Sequence, residues 1–247
     1  MNGIENNSIR CLLLAAGIGS RLRPLTYNVP KCLIEVGGRP ILDWWLKHLE
    51  LVNCKEVIVN THYHADQVKE FLKGYQNSSI NIIERYEETL LGTAGTLLAN
   101  AEFFQEGIGI LIHADNATDF DLKELIEAHM MRPKDCLVTM LTFQTDKPEN
   151  CGIVEVNTEG VVQGFYEKVE NPPGRKANGA VYIFDKRLIE FLDKRTEIPY
   201  DFSTDVLPRL IGRIYTYETR NHFIDIGTPD NLIKARRIWP NMNMKKL

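Results

Sequence analysis

The sequence has few cysteines, and they form no recognisable pattern. Only five occur among the 247 residues, and no two of them are spaced as Cys-x-x-Cys. A disulfide framework would need an even set of cysteines, and a zinc knuckle would need closely spaced ones. We therefore expect free, buried thiols in a protein of the reducing cytosol.

Long hydrophobic runs are also missing. No apolar segment approaches the roughly 20 residues that a membrane helix requires. The first eight residues are polar and rich in asparagine, which is unlike a signal peptide. These absences predict a cytoplasmic protein that does not associate with a membrane.

A strong excess of charge of one sign is absent as well. The 29 basic and 33 acidic residues leave a net charge of −4. Domains that bind nucleic acid usually carry clustered lysine and arginine, so a nucleic-acid partner is not expected. A small phosphorylated ligand held by a few local cations remains compatible with this balance.

No linker rich in glycine, serine or proline divides the chain, and no repeat is visible. In the first two thirds, short apolar runs alternate with amphipathic segments, which predicts βαβ units and an open, mostly parallel sheet. After about Pro148 the strand-like runs lie closer together, which predicts a smaller β-rich lobe. The expected fold is α/β: a single Rossmann-like domain with a mixed, mostly parallel central sheet flanked by helices, plus that lobe. Three local predictions are a strand from Cys32 to Val36, a helix from Thr93 to Phe104 and a helix around Thr204 to Ile211.

A loop with two glycines follows the first predicted strand. Residues 14–31, here called the glycine loop, contain Gly17, Gly19, Arg21 and Lys31. In an open α/β sheet, ligands bind where strands end, and glycines allow close backbone approach to an anion. The dinucleotide fingerprint fails because Leu22 stands where its third glycine belongs, and the P-loop motif is absent too. The physical interpretation is a phosphate-binding loop of another kind.

The glycine loop reads L-A-A-G-x-G-x-R-L-x-P-L-T-x-x-x-P-K and resembles the signature of the sugar-1-phosphate nucleotidylyltransferases, also called NDP-sugar pyrophosphorylases. Further segments resemble motifs of the same family, and together they cover about residues 9–239. They are Leu91-Gly92-Thr93-Ala94-Gly95, His113-Ala114-Asp115-Asn116, Phe165-x-Glu167-Lys168, Asn178-Gly179-x-x-Tyr182 and Asp225-Ile226-Gly227-Thr228-Pro229.

The resemblance implies transfer of a nucleotidyl group from an NTP to a sugar 1-phosphate, giving an NDP-sugar and pyrophosphate for polysaccharide biosynthesis. Both reactants are anionic, so charge neutralisation and positioning would supply most of the catalysis. By resemblance, Arg21 holds the departing phosphates, Lys31 stabilises the α-phosphate and Lys168 binds the sugar phosphate. Asp115 and Asp225 would hold Mg²⁺, which commonly takes one or two carboxylates plus phosphate oxygens.

The remaining implied contacts fall into two sets. Nucleotide-binding residues would be Leu14, Ala15, Ala16, Gly17, Gly19, Ser20, Arg21, Lys31, Glu87, Gly92 and Thr93. Sugar-binding residues would be Asn116, Gly152, Glu167, Lys168, Asn178 and Gly179. The predicted domain therefore spans 9–239, with a nucleotide-binding part over about 9–147 and a sugar-phosphate-binding part over about 148–239. Residues 1–8 would form a polar extension and residues 240–247 a tail.

Several of these residues have purely structural alternatives. Asp115 and Asp225 each follow an apolar strand and could simply cap the next helix, and Thr93 could be an N-cap. Lys168 could be a solvated surface lysine, and Asn178-Gly179 a plain turn. In the family a glycine normally precedes the metal-binding aspartate. Ala114 in its place is expected to cost little where the backbone φ is negative, whereas a positive φ would require a locally different loop.

One histidine-containing segment and one pair of tryptophans are also expected to have structural rather than ligand-binding roles. The segment His62 to Asp66 is expected to begin a helix rather than to bind zinc. Trp44 and Trp45 are expected to pack in the core or in a subunit contact rather than to stack on a ligand.

The sequence does not decide which base the NTP carries or which molecule accepts the nucleotidyl group. The LGTAGTL loop is most like members that use GTP with mannose or heptose 1-phosphate, whereas Asp115-Asn116 is similar to the thymidylyl enzymes. Alternatives are a thymidylyl- or uridylyltransferase on a hexose 1-phosphate, a cytidylyltransferase on a non-sugar phosphate or phosphonate, and a non-catalytic sugar-nucleotide-binding regulator. The chain is expected to be a short form without a C-terminal β-helix domain, and a homodimer is compatible with it.

Overall fold

The computed structural model describes residues 8–75, 78–193 and 200–240. The ends of the predicted N-terminal extension and C-terminal tail, residues 1–7 and 241–247, lie outside the described residues. The strands are β1 (Ile9–Leu14), β2 (Glu35–Val36), β3 (Arg39–Pro40), β4 (Glu56–Thr61), β5 (Asn81–Tyr86), β6 (Ile108–His113), β7 (Asn116–Thr118), β8 (Val138–Gln144), β9 (Gly152–Val156), β10 (Val162–Glu167), β11 (Lys176–Phe184), β12 (Ile214–Glu218) and β13 (Phe223–Asp225). The α-helices are α1 (Ile41–Leu51), α2 (Ala65–Lys73), α3 (Gly92–Ala99), α4 (Leu122–Met131), α5 (Lys186–Asp193) and α6 (Pro229–Ile238).

The described chain forms two compact units, and neither is continuous in sequence. The glycine-loop unit comprises Cys11–Leu90, Ile112–Leu122 and 221–240, and the β-rich unit comprises 8–10, Leu91–Leu111 and Lys123–Arg220. The predicted nucleotide-binding and sugar-phosphate-binding parts, by contrast, divide the chain at a single point near residue 148.

The glycine-loop unit is built on parallel strands. β4 lies between β1 and β5, and it pairs with β5 in parallel from Glu56 opposite Asn81 to Thr61 opposite Tyr86. Val57, Ile58 and Val59 are buried, as expected of a strand covered on both faces. α1 places Trp44 and Trp45 in the core, which confirms the packing interpretation of these two residues.

The β-rich unit is built mainly on antiparallel strands. β9 lies between β10 and β11, β8 pairs antiparallel with β11, and β12 pairs parallel with β8. Parallel and antiparallel pairs therefore occur in the same protein. The expected α/β fold, with a mixed, mostly parallel central sheet and flanking helices, is confirmed.

Three local predictions were wrong in detail. The segment from Cys32 to Val36 is not one strand, because Leu33 and Ile34 bond back to Pro30 and Lys31 and close a 3₁₀ turn over Lys31–Leu33. The predicted helix from Thr93 to Phe104 ends at Ala99. There the Asn100 side chain donates to the Thr96 carbonyl oxygen at 2.9 Å, and such side-chain bonds compete with helix continuation.

The third error concerns the helix expected around Thr204 to Ile211. The structure has one turn of π-helix over Phe202–Val206 and a 3₁₀ turn over Leu207–Leu210. The turn begins early because the Asp201 side chain accepts from the backbone N–H groups of Ser203 and Thr204. Pro208 then lacks the N–H that a regular helix would need there.

Candidate active site

The glycine loop turns sharply at Gly19, which has a φ of +67°. A Cβ at this position would lie 2.9 Å from Thr26 Cγ2 and 3.3 Å from Lys31 Cβ, so only glycine fits. The Thr26 hydroxyl donates to the Gly19 carbonyl oxygen at 2.8 Å and fixes the turn. A Cβ at Gly17 would contact nothing within 4 Å, so the backbone is open to a ligand there.

A buried asparagine that the sequence analysis did not single out supports the start of this loop. Asn60 is the penultimate residue of β4 and is 3% exposed. Its Oδ1 accepts from the Ala15 backbone N–H at 2.7 Å, and its Nδ2 donates to Glu87 Oε1 at 2.9 Å. Asn60 thus links two predicted nucleotide-binding residues. The signal was present, since Asn60 is a polar residue at the end of an apolar parallel strand, where ligand sites form.

Strand register brings the two predicted metal-binding aspartates together. β7 begins at Asn116, directly after Asp115, and Asp225 at the end of β13 pairs with Asn116. The Ile226 backbone N–H donates to the Asp115 carbonyl oxygen at 3.0 Å, which extends this ladder. Neither aspartate caps a helix, because Asp115 lies in a turn and the Thr228 side chain caps α6.

Two cations from the glycine loop face these carboxylates. The Lys31 ammonium group forms a close ion pair with Asp115 Oδ2 and lies 3.6 Å from Asp225 Oδ1. Arg21 Nη2 lies 3.9 Å from Asp225 Oδ2, and its side chain is 63% exposed. The Lys31 side chain is therefore largely buried beside the two carboxylates, whereas the Arg21 side chain is mostly exposed.

The charges of this cluster alter the pKa of three of its members. Burial alone would lower the pKa of Lys31, but the nearby Asp115 and Asp225 carboxylates outweigh it and raise that pKa. Burial opposes ionisation of Asp115, yet Lys31 and then His113 hold the pKa of this carboxyl below its usual value. Displacement of water and the charge of Asp115 raise the pKa of Asp225. Lys31 is thus held as a cation among the carboxylates.

Gly227 keeps space open beside this cluster. A Cβ on Gly227 would lie 2.8 Å from Arg21 Nη2, 2.8 Å from Asp225 Oδ1 and 3.0 Å from Lys31 Nζ. Its backbone N–H donates to Asp225 Oδ1 at 2.7 Å. The glycine of the D-x-G-T-P motif therefore orients one carboxylate and leaves room at both cations. Ala114 is not among the described residues with positive φ, so its substitution for glycine fits the turn.

In the β-rich unit, neighbouring strands bring a second group of predicted residues together. Glu167 at the end of β10 pairs with Gly152 on β9, and a Cβ on Gly152 would lie 2.5 Å from Glu167 Oε2. Lys168 follows with a φ of +50°, an unusual conformation for a lysine, and its ammonium group lies 3.0 Å from Glu167 Oε1. Local strain of this kind concentrates at functional sites. The Lys168 side chain is 63% exposed and accessible to a ligand.

The predicted Asn178-Gly179 pair lies in an irregularity of β11, where the register against β8 shifts between Asn178 and Tyr182. Asn178 Nδ2 donates to the Tyr182 hydroxyl at 2.7 Å, and Oδ1 accepts from the Ala180 backbone N–H at 2.9 Å. This is a bulged strand rather than a plain turn. Because Ala177 pairs with Ile153 on β9, Asn178 lies one strand away from Gly152 and two strands away from Glu167.

Gly92 and Thr93 begin α3 in the β-rich unit, but Thr93 is not the helix cap. Leu91 occupies the capping position and makes no side-chain capping bond. The Thr93 hydroxyl instead donates to Asp201 Oδ2 at 3.1 Å and accepts from the Phe202 N–H at 2.6 Å. Asp201 is a second residue that the sequence analysis missed.

Each unit therefore collects its own predicted residues. Arg21, Lys31, Asp115 and Asp225 gather in the glycine-loop unit, with Asn116 beside Asp225 in the β7–β13 pair. Gly152, Glu167, Lys168 and Asn178 gather on three strands of the β-rich unit. Among the described residues, no group of three or more His, Cys, Asp or Glu side chains could hold a metal ion. His62 to Asp66 lead into α2, as expected, with His64 preceding its first residue.

Comparison with known proteins identifies the family. The family model described as Nucleotidyl transferase matches residues 10–240. A mannose-1-phosphate guanylyltransferase catalytic subunit beta from Drosophila pseudoobscura pseudoobscura is 29% identical over 248 residues, which covers 96% of this chain and 64% of that protein. A mannose-1-phosphate guanyltransferase from Yarrowia lipolytica is 26% identical and is matched over 95% of this chain and 65% of its own length. The chain thus spans slightly less than two thirds of the length of these curated relatives.

Solved structures show the same fold at lower identity. A putative glucose-1-phosphate thymidylyltransferase from Bacillus anthracis, in complex with a sucrose, has a TM-score of 0.86 and 21% identity, and covers 96% of this chain and 97% of its own. HddC from Yersinia pseudotuberculosis has a TM-score of 0.75 and 24% identity, with 93% and 99% covered. No helix in the described part of the chain is both long and apolar enough to cross a membrane.

Proposed function

The chain belongs to the nucleotidyl transferase family, and from this premise we propose that it transfers a nucleotidyl group from an NTP to a sugar 1-phosphate, releasing pyrophosphate. The observation that carries the proposal is the cluster of Lys31, Arg21, Asp115 and Asp225 at the glycine loop. It combines two cations suited to phosphate oxygens with two carboxylates suited to a divalent metal. A purely sugar-nucleotide-binding regulator would not need all four charges.

The chemistry needs no protein nucleophile. A phosphate oxygen of the sugar 1-phosphate is already ionised and forms the new bond to the α-phosphorus while the bond to pyrophosphate breaks. We assign the exposed Arg21 guanidinium to the departing phosphates, since its planar fork fits phosphate oxygens. Lys31 neutralises charge at the α-phosphate, Lys168 binds the sugar phosphate and Glu167 accepts from sugar hydroxyls. Held in place before reaction, these groups lower the cost of bringing two anions together.

Mg²⁺ is the cofactor that this donor set fits best. Asp115 and Asp225 would hold it, since both carboxylates lie beside the Lys31 ammonium group and the glycine at 227 leaves space open beside Asp225. A site with two carboxylates matches a cation that takes its other ligands from phosphate and water. When bound, the metal would supply additional neutralisation of phosphate charge.

We propose GTP as the nucleotide and mannose 1-phosphate as the acceptor, with a heptose 1-phosphate second. The support is that relatives matched over most of this chain are named mannose-1-phosphate guanylyltransferases. The base is selected by hydrogen bonds to a buried edge, and such contacts discriminate strongly. A homodimer and a cytoplasmic location stay predictions.

The test is pyrophosphate release with Mg²⁺ across the common NTPs and a panel of sugar 1-phosphates, with choline phosphate as the non-sugar acceptor. The proposal expects one strong pair, GTP with mannose 1-phosphate. Release only with choline phosphate would replace the sugar acceptor by a non-sugar one. If no combination of NTP and acceptor released pyrophosphate while nucleotide binding was intact, the result would favour the regulator and contradict the proposed reaction.

A further inference from the structure

Residues 91–95, here called the LGTAG segment, are anchored to a segment that lies more than a hundred residues later. The Ala94 backbone N–H donates to the Tyr200 carbonyl oxygen at 3.0 Å. Gly92 has a φ of +76°, and a Cβ there would lie 2.2 Å from the same Tyr200 oxygen. Glycine at this position is therefore required for the two backbones to approach each other.

Side chains complete the anchor with bonds in both directions. The Thr93 hydroxyl donates to Asp201 Oδ2 and accepts from the Phe202 backbone N–H. The other Asp201 oxygen, Oδ1, accepts from the N–H groups of Ser203 and Thr204 at 2.9 and 3.0 Å. One carboxylate thus divides its oxygens: Oδ1 builds the π-helical turn and Oδ2 holds the LGTAG segment.

We propose that Asp201 is a positioning residue for nucleotide binding and acts through Thr93. This inference rests on the proposed function, in which Gly92 and Thr93 contact the nucleotide. Asp201 fixes the Thr93 rotamer and, through Thr93, the position of the Gly92 and Ala94 backbone. It makes no contact with the substrate itself. A charged acceptor makes a stronger hydrogen bond than a neutral one, which suits a residue that fixes a loop before the ligand arrives.

Variants can separate the anchor from the capping role. Asp201→Ser keeps an N-cap, because serine caps as well as aspartate, but it loses the acceptor for Thr93. Asp201→Asn keeps the capping oxygen, and its amide can donate to the Thr93 hydroxyl. Thr93→Val removes the hydroxyl at nearly constant shape. Asp135→Ser, at an exposed position of the same unit, is the matched control for loss of an aspartate charge.

The experiment measures the Kd for GTP with Mg²⁺ by calorimetry, the KM for GTP and for mannose 1-phosphate, and amide exchange at Ala94 without ligand. We expect Asp201→Ser and Thr93→Val each to raise the Kd and KM for GTP about tenfold, the effect of losing one good hydrogen bond. For Asp201→Ser, kcat and the KM for mannose 1-phosphate should stay within about twofold, and Ala94 should exchange about tenfold faster. The double variant should bind GTP no more weakly than either single variant. Asp201→Asn should bind GTP nearly as tightly as wild type. Asp135→Ser should leave the Kd and KM for GTP unchanged.

Two failures are distinguishable. If Asp201→Ser binds GTP as tightly as wild type and Ala94 stays protected, Asp201 is only a cap and the inference is overturned, while the proposed function stands. If the wild type binds no NTP, the proposed function fails and the nucleotide role of Asp201 fails with it. Equal increases in the KM for GTP and the KM for mannose 1-phosphate would also overturn the inference, since they would indicate general damage to the unit.

Discussion

The Asp225 carboxylate contacts both cations of the glycine loop and accepts a hydrogen bond from the Gly227 backbone. Replacing it with asparagine keeps an oxygen for the Gly227 N–H and removes the charge that faces Lys31 and Arg21. We expect Asp225→Asn to lower kcat at least about a hundredfold, the scale of losing a central electrostatic contact. Steady-state pyrophosphate release measures this, and circular dichroism checks that the fold is intact.

The control for this prediction is Asp230→Asn in the first turn of α6. Asp230 is exposed and lies five residues from Asp225, so its loss should leave turnover near the wild-type rate. Retention of most of the Mg²⁺-dependent rate by Asp225→Asn would show that the metal assignment is wrong.

Lys168 tests the acceptor end of the reaction. Its ammonium group is exposed apart from the pair with Glu167, so alanine at this position removes a phosphate contact without opening a cavity. We expect Lys168→Ala to raise the KM for the sugar 1-phosphate by about tenfold or more and the KM for the NTP far less. Lys123→Ala is a matched control, because the Lys123 side chain is 62% exposed and that of Lys168 is 63% exposed. Equal increases in both KM values would count against the proposed role.

At the scale of elements, pairing between strands decides where the predicted residues lie. Gly152 on β9 has no side chain, and the Glu167 and Phe165 side chains of β10 lie across it. A Cβ there would lie 2.5 Å from Glu167 Oε2 and 2.7 Å from Phe165 Cζ. We expect Gly152→Ala to displace Glu167 and to lower the free energy of unfolding by about 1 to 3 kcal/mol, as overpacking does.

Urea unfolding of Gly152→Ala beside Gly174→Ala checks this prediction. An added Cβ at Gly174 contacts nothing within 4 Å, so that variant should stay within about 0.5 kcal/mol of wild type. If both variants were equally stable, the close approach of Glu167 to Gly152 would be refuted.

Sequence reasoning succeeded where one element carries the information. The apolar runs of β4 and β6 and the Pro-initiated α6 follow from local pattern alone, as does the glycine loop. It failed where two distant segments define each other. β7 and β13 have only three residues each, too few for any periodicity, so their pairing was not predicted, and only the family resemblance placed Asp115 and Asp225 at one site. Asp201 was missed for the same reason, because its partner Thr93 lies 108 residues away.

At the scale of the whole molecule, both units bury neutral histidines, and this should make global stability depend on pH. His129 in the β-rich unit is 1% exposed and bonds to the Thr139 hydroxyl at 2.9 Å. Burial, and then the positive charge of Arg132, lower its pKa to about 3, with Asp185 opposing and Arg187 adding to the effect. Burial also lowers the pKa of His48 in the glycine-loop unit, against weaker opposing effects of a hydrogen bond with the Thr118 backbone and of the Asp121 and Asp119 charges.

The direction follows from proton counts. Below the unfolded pKa of about 6.5, the unfolded chain binds a proton at His129 that the folded protein excludes until about pH 3. The unfolded state therefore holds more protons across this window, and the free energy of unfolding falls as the pH falls. Each such histidine contributes a slope of up to about 1.4 kcal/mol per pH unit, or roughly 2 kcal/mol from pH 7 to pH 5.

The measurement is urea unfolding of wild type and of His129→Gln at several values between pH 7 and pH 5. Glutamine keeps a hydrogen-bonding group for Thr139 but cannot titrate. The free energy of unfolding of the variant should therefore fall less steeply with pH, by the contribution of about one proton. Comparing the two proteins cancels every other group, including Asp225, whose raised pKa acts in the opposite direction. Most carboxylates titrate below this window, near pH 4 when unfolded, and do not mask the difference. Parallel stability curves would mean that His129 is protonated in the folded protein, contrary to the burial of its side chain on α4 against Thr139 of β8.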